Sequence, residues 1–337
     1  MESAMAADMI PPSGAPAFLA AHGWGGAAIL PVAGDASFRR YFRVRDGARS
    51  AILMDAPPPH EDPRDFIAIA RWLGEHGFTA PTIDAVDLDQ GLVLLEDFGD
   101  VQMRETLDAD AARGSSLYGT AIDTLVRLHG LPAAPVPPYD RAVLHREVGL
   151  LTEWYCSAVG VTPDQARYDA AWDAVFAPVL AEPGVTVLRD YHSENLMMIR
   201  GGTCERTLGL LDFQDALVGH PAYDLVSLLQ DARRDVDESV EAEMLARYKT
   251  ATGAGDAFDT AYHVLGAQRN AKIVGIFTRL WQRDGKPRYA GLCPRVWRYL
   301  ERDLAHPALA PVKAWFDATL PAELRGDPLQ VATSAAA

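Results

Sequence analysis

The sequence is poor in several things, and each shortage narrows what the chain does. No run of roughly 18 uncharged apolar residues occurs, which excludes a membrane-spanning helix. The first 26 residues are rich in Ala, Gly and Pro, with no basic stretch ahead of an apolar core. A secretory signal is therefore not expected, and the cytoplasm is the expected compartment. Cysteine is scarce: Cys156, Cys204 and Cys293 are three, an odd number, spaced too widely for a metal knuckle. Reduced structural thiols are expected rather than disulfides or zinc. Positive charge is short as well, with 31 Lys and Arg against 46 Asp and Glu, a formal net charge of −15. Such a chain repels nucleic acid and acidic lipid at long range, so an anionic ligand must be held by a local cluster of cations or backbone amides. No internal repeat is found.

What is present is enough apolar material, 49% of 337 residues, for one two-lobed unit or two modest domains. Ile29 to Val32, Phe38 to Val44 and Ala51 to Met54 read as strands, with Asp46-Gly47 as the hairpin turn between the last two. Asp62-Pro63 starts a helix whose apolar face is Phe66, Ile67, Ile69, Ala70 and Leu73, ended by Gly77. Thr82 to Val86 and Leu92 to Leu95 make two further strands. From about residue 100 the pattern is helical, with one helix near Val143 to Tyr155 and a long one near 261–283. A short β insert interrupts it: Val185 to Leu188, Leu196 to Ile199 and Leu208 to Leu211, with Gly201-Gly202 turning between the last two. The expected class is α+β: a five-stranded antiparallel N-terminal lobe over 1–96, a mainly helical lobe over 97–325, and a loose tail over 326–337.

The chemistry-bearing stretch is Leu188-Arg189-Asp190-Tyr191-His192-Ser193-Glu194-Asn195, which leaves one strand and enters a hairpin whose second strand delivers Leu211-Asp212-Phe213. Asp and Asn five residues apart is a common spacing. The chain holds only two Asn, however, and a strand-ending Asp follows one hairpin later. The plainer alternative is that Asp190 and Asn195 cap turns. In that order the residues resemble the catalytic and metal loops of protein kinases and, more closely, of the aminoglycoside phosphotransferase and choline kinase superfamily. The resemblance implies a protein-kinase-like bilobal fold, ATP and magnesium as cofactors, Asp190 as base, and Asn195 and Asp212 as metal ligands. Phosphoryl transfer needs an aligned acceptor and neutralised charge, and magnesium takes oxygen ligands. His192 is expected at the γ-phosphate or as an orienting histidine, Arg189 as structural support. Asp224, in His220-Pro221-Ala222-Tyr223-Asp224-Leu225, is expected to brace the catalytic loop or to cap a helix.

Asp97-Phe98-Gly99 looks like the kinase metal motif but precedes Asp190 and follows a strand. Leu94 to Phe98 instead suits an interlobe hinge, with Glu96 and Phe98 beside adenine. Ser37, in the short loop from Gly34, is expected near the phosphates. Met54 stands where the resemblance places a phosphate-binding lysine. With Asp46-Gly47 as the turn, Arg39 falls opposite Met54 and would supply the cation; Arg40 or Arg43 would do so in another register.

The segment from Gln268 to Leu304 is similar to the anomeric sugar kinases of peptidoglycan recycling, as are Asp35 to Tyr41 and Met54 to Pro58. That similarity implies phosphorylation of C1 of N-acetylmuramate or N-acetylglucosamine. A lactyl carboxylate asks for a cation, for which Arg269, Lys272, Arg279 and Arg283 share roughly one helix face. Trp281, and Trp154 with Tyr155, are candidates to stack on a sugar or to pack in the core. Two other readings stay open: an aminoglycoside or choline-type kinase, and a nucleotide-binding scaffold without catalysis. No nucleic-acid or membrane partner is expected, and the sequence is silent on oligomeric state.

Overall fold

The computed structural model describes residues 9–32, 38–181, 184–199 and 208–335. Gly34 to Ser37, the Gly201-Gly202 turn and Cys204 therefore lie outside the described residues. The chain divides into two compact units, one made of 1–106 with 194–215, the other of 107–193 with 216–337.

In the first unit, α1 (Ala15–Ala21) precedes β1 (Ala28–Pro31), β2 (Arg40–Asp46) and β3 (Arg49–Asp55). Then come α2 (Arg64–Glu75), β4 (Ile83–Asp87), β5 (Leu92–Glu96) and α3 (Met103–Ala109). The five strands form one sheet in the order β1-β2-β3-β5-β4, every pair antiparallel. Strand periodicity sorts its faces. Phe42, Val44, Ala51, Leu53, Leu92 and Leu94 join Phe18 and Leu19 of α1 in one apolar core. The alternate residues Tyr41, Arg43, Ile52 and Leu95 are left to the other face, where they line a cavity.

The register corrects one expectation. Asp46 pairs with Arg49, so the loop is Gly47-Ala48 and Met54 faces Tyr41 rather than Arg39. Gly47 has φ of 59°, and a two-residue loop that needs positive φ at its first position takes glycine there. The slip is two residues, so parity survives and Arg39 remains on the side of Tyr41 and Arg43.

The second unit is mainly helical. It opens with α4 (Gly114–His129) and α5 (Arg141–Leu150), the latter continued by a π-helical turn, Leu151–Cys156, and then α6 (Gln165–Ala181). β6 (Val185–Val187) follows. The hairpin β7 (Leu196–Met198) and β8 (Leu208–Leu210) belongs to the first unit, where Leu210 N–H donates to Thr79 O and Met198 N–H to Val101 O, both at 2.8 Å. β9 (Leu217–Gly219) returns to pair with β6. The remainder is α7 (Ala222–Leu229), α8 (Glu238–Thr252), the 27-residue α9 (Asp256–Gln282), α10 (Cys293–Leu304) and α11 (Ala310–Thr319). The segment read as a loose tail carries a short helix, α12 (Pro328–Ala335).

α9 runs through the middle of this unit because much of its surface is apolar or small. Gly275 marks the closest approach: a Cβ there would stand 2.3 Å from the Leu150 carbonyl carbon, so only glycine lets α9 meet the end of α5. Cys156 and Cys293 are free and buried, and burial pushes the Cys156 thiol up to about 12. That environment leaves them as packing groups. Among the described residues no helix is long and apolar enough to cross a membrane.

Candidate active site

In the second unit, the residues after β6 turn sharply, and one buried carboxylate holds the turn. Asp224, on α7 and fully buried, accepts the N–H of Leu188 at 2.7 Å and of Arg189 at 2.8 Å, one on each carboxylate oxygen. Arg189 takes a positive φ of 70°, a conformation that costs a non-glycine residue about 1–3 kcal/mol and persists only where the surroundings impose it. Asp224 is thus hydrogen-bonded to two consecutive backbone N–H groups directly ahead of Asp190.

The Arg189 side chain runs into a buried ionic cluster. Its guanidinium pairs with Glu147 of α5, and Lys272 of α9 reaches the same carboxylate at 2.9 Å. Gln268 donates to Glu147 at 2.9 Å, the Tyr139 hydroxyl donates to it as well, and Lys272 also donates to the Tyr223 hydroxyl at 3.3 Å. Burial works against the charge on Glu147, but Lys272 and Arg189 outweigh it and hold its pKa at about 2. A carboxylate lowered in this way stabilises the fold fully above its unfolded pKa, near 4.5, and loses that contribution as pH falls toward 2. Glu147→Gln is expected to lower stability at pH 7 by about 3–5 kcal/mol, because it strands two buried cations. It should also flatten the acid side of the stability curve between about pH 4.5 and 2. Urea unfolding across that range reads both effects, and an unchanged slope contradicts the assignment.

Asp190 itself is partly open, its side chain 36% exposed. Burial of the site pushes its carboxyl up, but Lys272, Arg269, His192 and Arg189 more than offset this and hold it below the ordinary aspartate value. His192 is buried, and Arg233, from the turn after α7, donates to its Nε2 at 3.2 Å. A guanidinium only donates, so His192 Nε2 is the acceptor in this arrangement. Ser193 donates its hydroxyl to the buried Asp231 at 2.8 Å, fixing the end of the same loop.

The first unit holds the other candidates. Its cavity, about 360 Å³, is lined by Arg43, Glu96, Phe98, Asn195 and Asp212, which come from separate stretches of the sequence. Asn195 leads into β7 and Asp212 follows β8; Leu211 N–H donates to Asn195 O at 3.0 Å, which locks the two ends of the hairpin together. The Asn195 amide donates to Asp212 Oδ2 at 3.2 Å and Gln214 to Asp212 Oδ1 at 2.6 Å. Asp212 also has positive φ, 59°. Arg189 and Asp212 are the only non-glycine residues with that conformation among the described residues, and each adjoins or is a candidate functional group.

Asn195 and Asp212 together offer hard oxygen donors, one amide and one carboxylate, at the wall of a cavity. That set fits magnesium, which takes few protein ligands and completes its octahedron with phosphate and water. Among the described residues no group of three or more His, Cys, Asp or Glu could hold a metal, so a dedicated protein cage is not the pattern here.

The cations of this lobe separate clearly. Arg40 lies on the core face and pairs with Asp55, its cross-strand neighbour, at 2.8 Å, so it does not line the cavity. Arg43 does, but binds Asp97 at 2.8 Å and Asp100 at 2.7 Å. Asp97 also accepts the Gly99 N–H at 2.9 Å, so the apparent kinase metal motif ties down the chain after β5. Arg39 pairs with Glu61 at 3.2 Å. Burial pulls its guanidinium down, but Tyr41, Glu61, Asp212 and Asp215 raise it above its ordinary value, which places Arg39 in the field of Asp212. Ser37 lies outside the described residues.

Of the groups expected to touch the sugar, Trp154 and Trp281 are half-buried and Arg283 is exposed, paired with Asp284 at 2.7 Å. Arg279 is half-buried; burial first, then Arg283, depresses its guanidinium, and its Nε has no hydrogen-bond partner. Sequence reasoning missed Glu147, Asp231 and Arg233. A lone glutamate in an amphipathic helix carries no local sign of its partners, whereas the Arg269 to Lys272 spacing on one helix face did.

Comparison with known proteins gives a consistent picture. The family described as the phosphotransferase enzyme family matches residues 28–261. The N-acetylmuramate/N-acetylglucosamine kinase of Caulobacter vibrioides is 39% identical over 352 aligned positions, covering 92% of this chain and 96% of the relative. The protein of the same name from Pseudomonas aeruginosa is 41% identical over 312 positions, 88% of this chain and 90% of its own. Among solved structures, a choline/ethanolamine kinase family protein from Mesorhizobium loti superposes with a TM-score of 0.60 at 17% identity, covering 89% of this chain and 98% of that one. The streptomycin–ATP–APH(2″)-IIa ternary complex does so at 0.57 and 11%, with 89% and 98% covered. The α+β, protein-kinase-like architecture is therefore shared with these structures.

Proposed function

The chain belongs to the phosphotransferase enzyme family, and from that premise we propose that it transfers the γ-phosphoryl group of ATP to the anomeric hydroxyl of an amino sugar, N-acetylmuramate or N-acetylglucosamine. The observation that carries the acceptor is the identity, over nearly the full length of both chains, to relatives named for that pair of sugars. An anomeric hydroxyl is more acidic than an ordinary alcohol, which suits a carboxylate base held strongly ionised.

In this reading Asp190 accepts the hydroxyl proton while the sugar oxygen bonds to phosphorus and the bond from phosphorus to the ADP oxygen breaks. The nucleotide occupies the cavity of the first unit, with adenine toward Glu96 and Phe98, which line it. Bound by Asn195 and Asp212, magnesium would neutralise charge on the β and γ phosphates. Arg39 takes the part of the cation missing at Met54; its support is the pull of Asp212 and Asp215, to which Tyr41 and Glu61 add. Arg279, with an unmatched Nε, is the candidate partner of a lactyl carboxylate.

The test is ADP release with ATP and magnesium in the presence of N-acetylmuramate, N-acetylglucosamine, kanamycin or choline. Turnover on one or both amino sugars, at least about 100-fold above the other acceptors in kcat/KM, is expected. Turnover confined to kanamycin or choline overturns the acceptor, and none on any acceptor favours a catalytically silent scaffold.

A further inference from the structure

Arg269 has no part in the mechanism above, yet it is among the most unusual groups in the second unit. It sits on α9 with a side chain only 5% exposed. One guanidinium nitrogen, Nη2, donates to the Ser227 hydroxyl at 2.9 Å and stands 3.9 Å from Asp190 Oδ1. The other, Nη1, is buried with no hydrogen-bond partner, and the group lies 6.0 Å from the Tyr223 ring centroid. A buried guanidinium that is only partly matched works against stability, so packing alone does not account for it. The other two cations near Asp190 are engaged elsewhere: Arg189 and Lys272 both bind Glu147.

We infer that Arg269 is a positioning residue for the transfer, fixing the Asp190 carboxylate in orientation and in its charged form from behind while leaving its exposed edge to the acceptor hydroxyl. The inference rests on the reading of Asp190 as the base. Charged and titratable groups face Asp190 within this unit: Arg189 and His192 on its own loop, Arg269 and Lys272 on α9. Behind them stand Asp224 on α7, Glu147 on α5 and Arg233 beside His192. Arg269 Nη2 stands 3.9 Å from Asp190 Oδ1, and its hydrogen bond goes to a neutral hydroxyl, Ser227, rather than to a second carboxylate. It lowers the cost of a fixed anion before the acceptor arrives, which is preorganisation in the sense that lowers a transfer barrier.

Four proteins test this: Arg269→Met, Arg269→Lys, Asp190→Asn and the Asp190→Asn/Arg269→Met pair. Arg269→Met should lower kcat about 10–100-fold with the KM for ATP within about twofold, and should move the acid limb of the kcat profile upward in pH. Its melting temperature should equal or exceed that of the parent, since a buried, partly unmatched charge has gone. Arg269→Lys should recover part of kcat and of the pH profile, and it supplies the same readouts should Arg269→Met fail to fold. In the Asp190→Asn background the Arg269→Met change should have no further effect. An unaltered kcat and pH profile in both Arg269 variants overturns the inference, as does an additive loss in the Asp190→Asn background accompanied by a lower melting temperature. If instead Asp190→Asn retains turnover, it is the base assignment that fails, whatever Arg269 does.

Discussion

Asp190→Asn is expected to lower kcat about 10²–10⁴-fold, the range a positioned general base contributes, equivalent to roughly 3–5 kcal/mol of barrier. The substitution keeps the size of the side chain and removes its negative charge. Nothing in the cavity of the first unit depends on it, because that cavity is lined without Asp190. ATP affinity should therefore stay within about threefold of the parent, and the loss should fall on kcat and kcat/KM alike. Steady-state kinetics with the amino sugars, together with equilibrium ATP binding, separates these quantities. Parent-like kcat removes Asp190 from the mechanism, whereas a loss of both kcat and ATP binding points to damaged structure.

The second large effect is expected at Asp212. Asn is the informative replacement, because it tolerates the left-handed backbone that Asp212 adopts at φ of 59° while giving up the anionic oxygen. Asp212→Asn should lower kcat on the order of 10²–10³-fold, the usual loss when one fixed stabiliser of developing charge is removed. It should weaken ATP binding measured with magnesium and leave binding measured in chelator nearly unchanged. Calorimetric titration under the two conditions reads the difference. Equal ATP affinity for parent and variant in magnesium removes Asp212 from metal binding.

Much of the fold was legible in the sequence, and for physical reasons. The sheet could be read because its strands alternate apolar and polar residues and its turns carry glycine. The stretch from Leu188 to Asp212 could be singled out as the candidate site because few Asn occur and because Asp190, Asn195 and Asp212 keep their order across a strand and a hairpin. The register of β2 and β3 could not, since Asp46-Gly47 and Gly47-Ala48 are both acceptable two-residue turns in sequence. A turn at Asp46-Gly47 would need positive φ at both residues, and only Gly47 has it, with Asp46 paired to Arg49. Arg40 and Arg43 were alternatives to Arg39 that depended on the register; each of the three is ion-paired in the structure, Arg39 with Glu61, Arg40 with Asp55 and Arg43 with Asp97 and Asp100, and Arg40 is set apart by its place on the core face. Least legible was the support behind Asp190. Glu147, Arg189, Arg269 and Lys272 come from α5, the loop after β6 and α9, and no local pattern announces a buried ionic cluster assembled from such distant segments.

The central claim is the identity of the oxygen that receives the phosphoryl group. It is tested most directly by following the reducing end of N-acetylmuramate or N-acetylglucosamine while ADP is formed. The account predicts that one reducing end disappears for each ADP released, with the product's phosphorus coupled to the anomeric carbon in its nuclear magnetic resonance spectrum. ADP formed in step with a phosphosugar that keeps its reducing end would place the phosphate on another hydroxyl and contradict it.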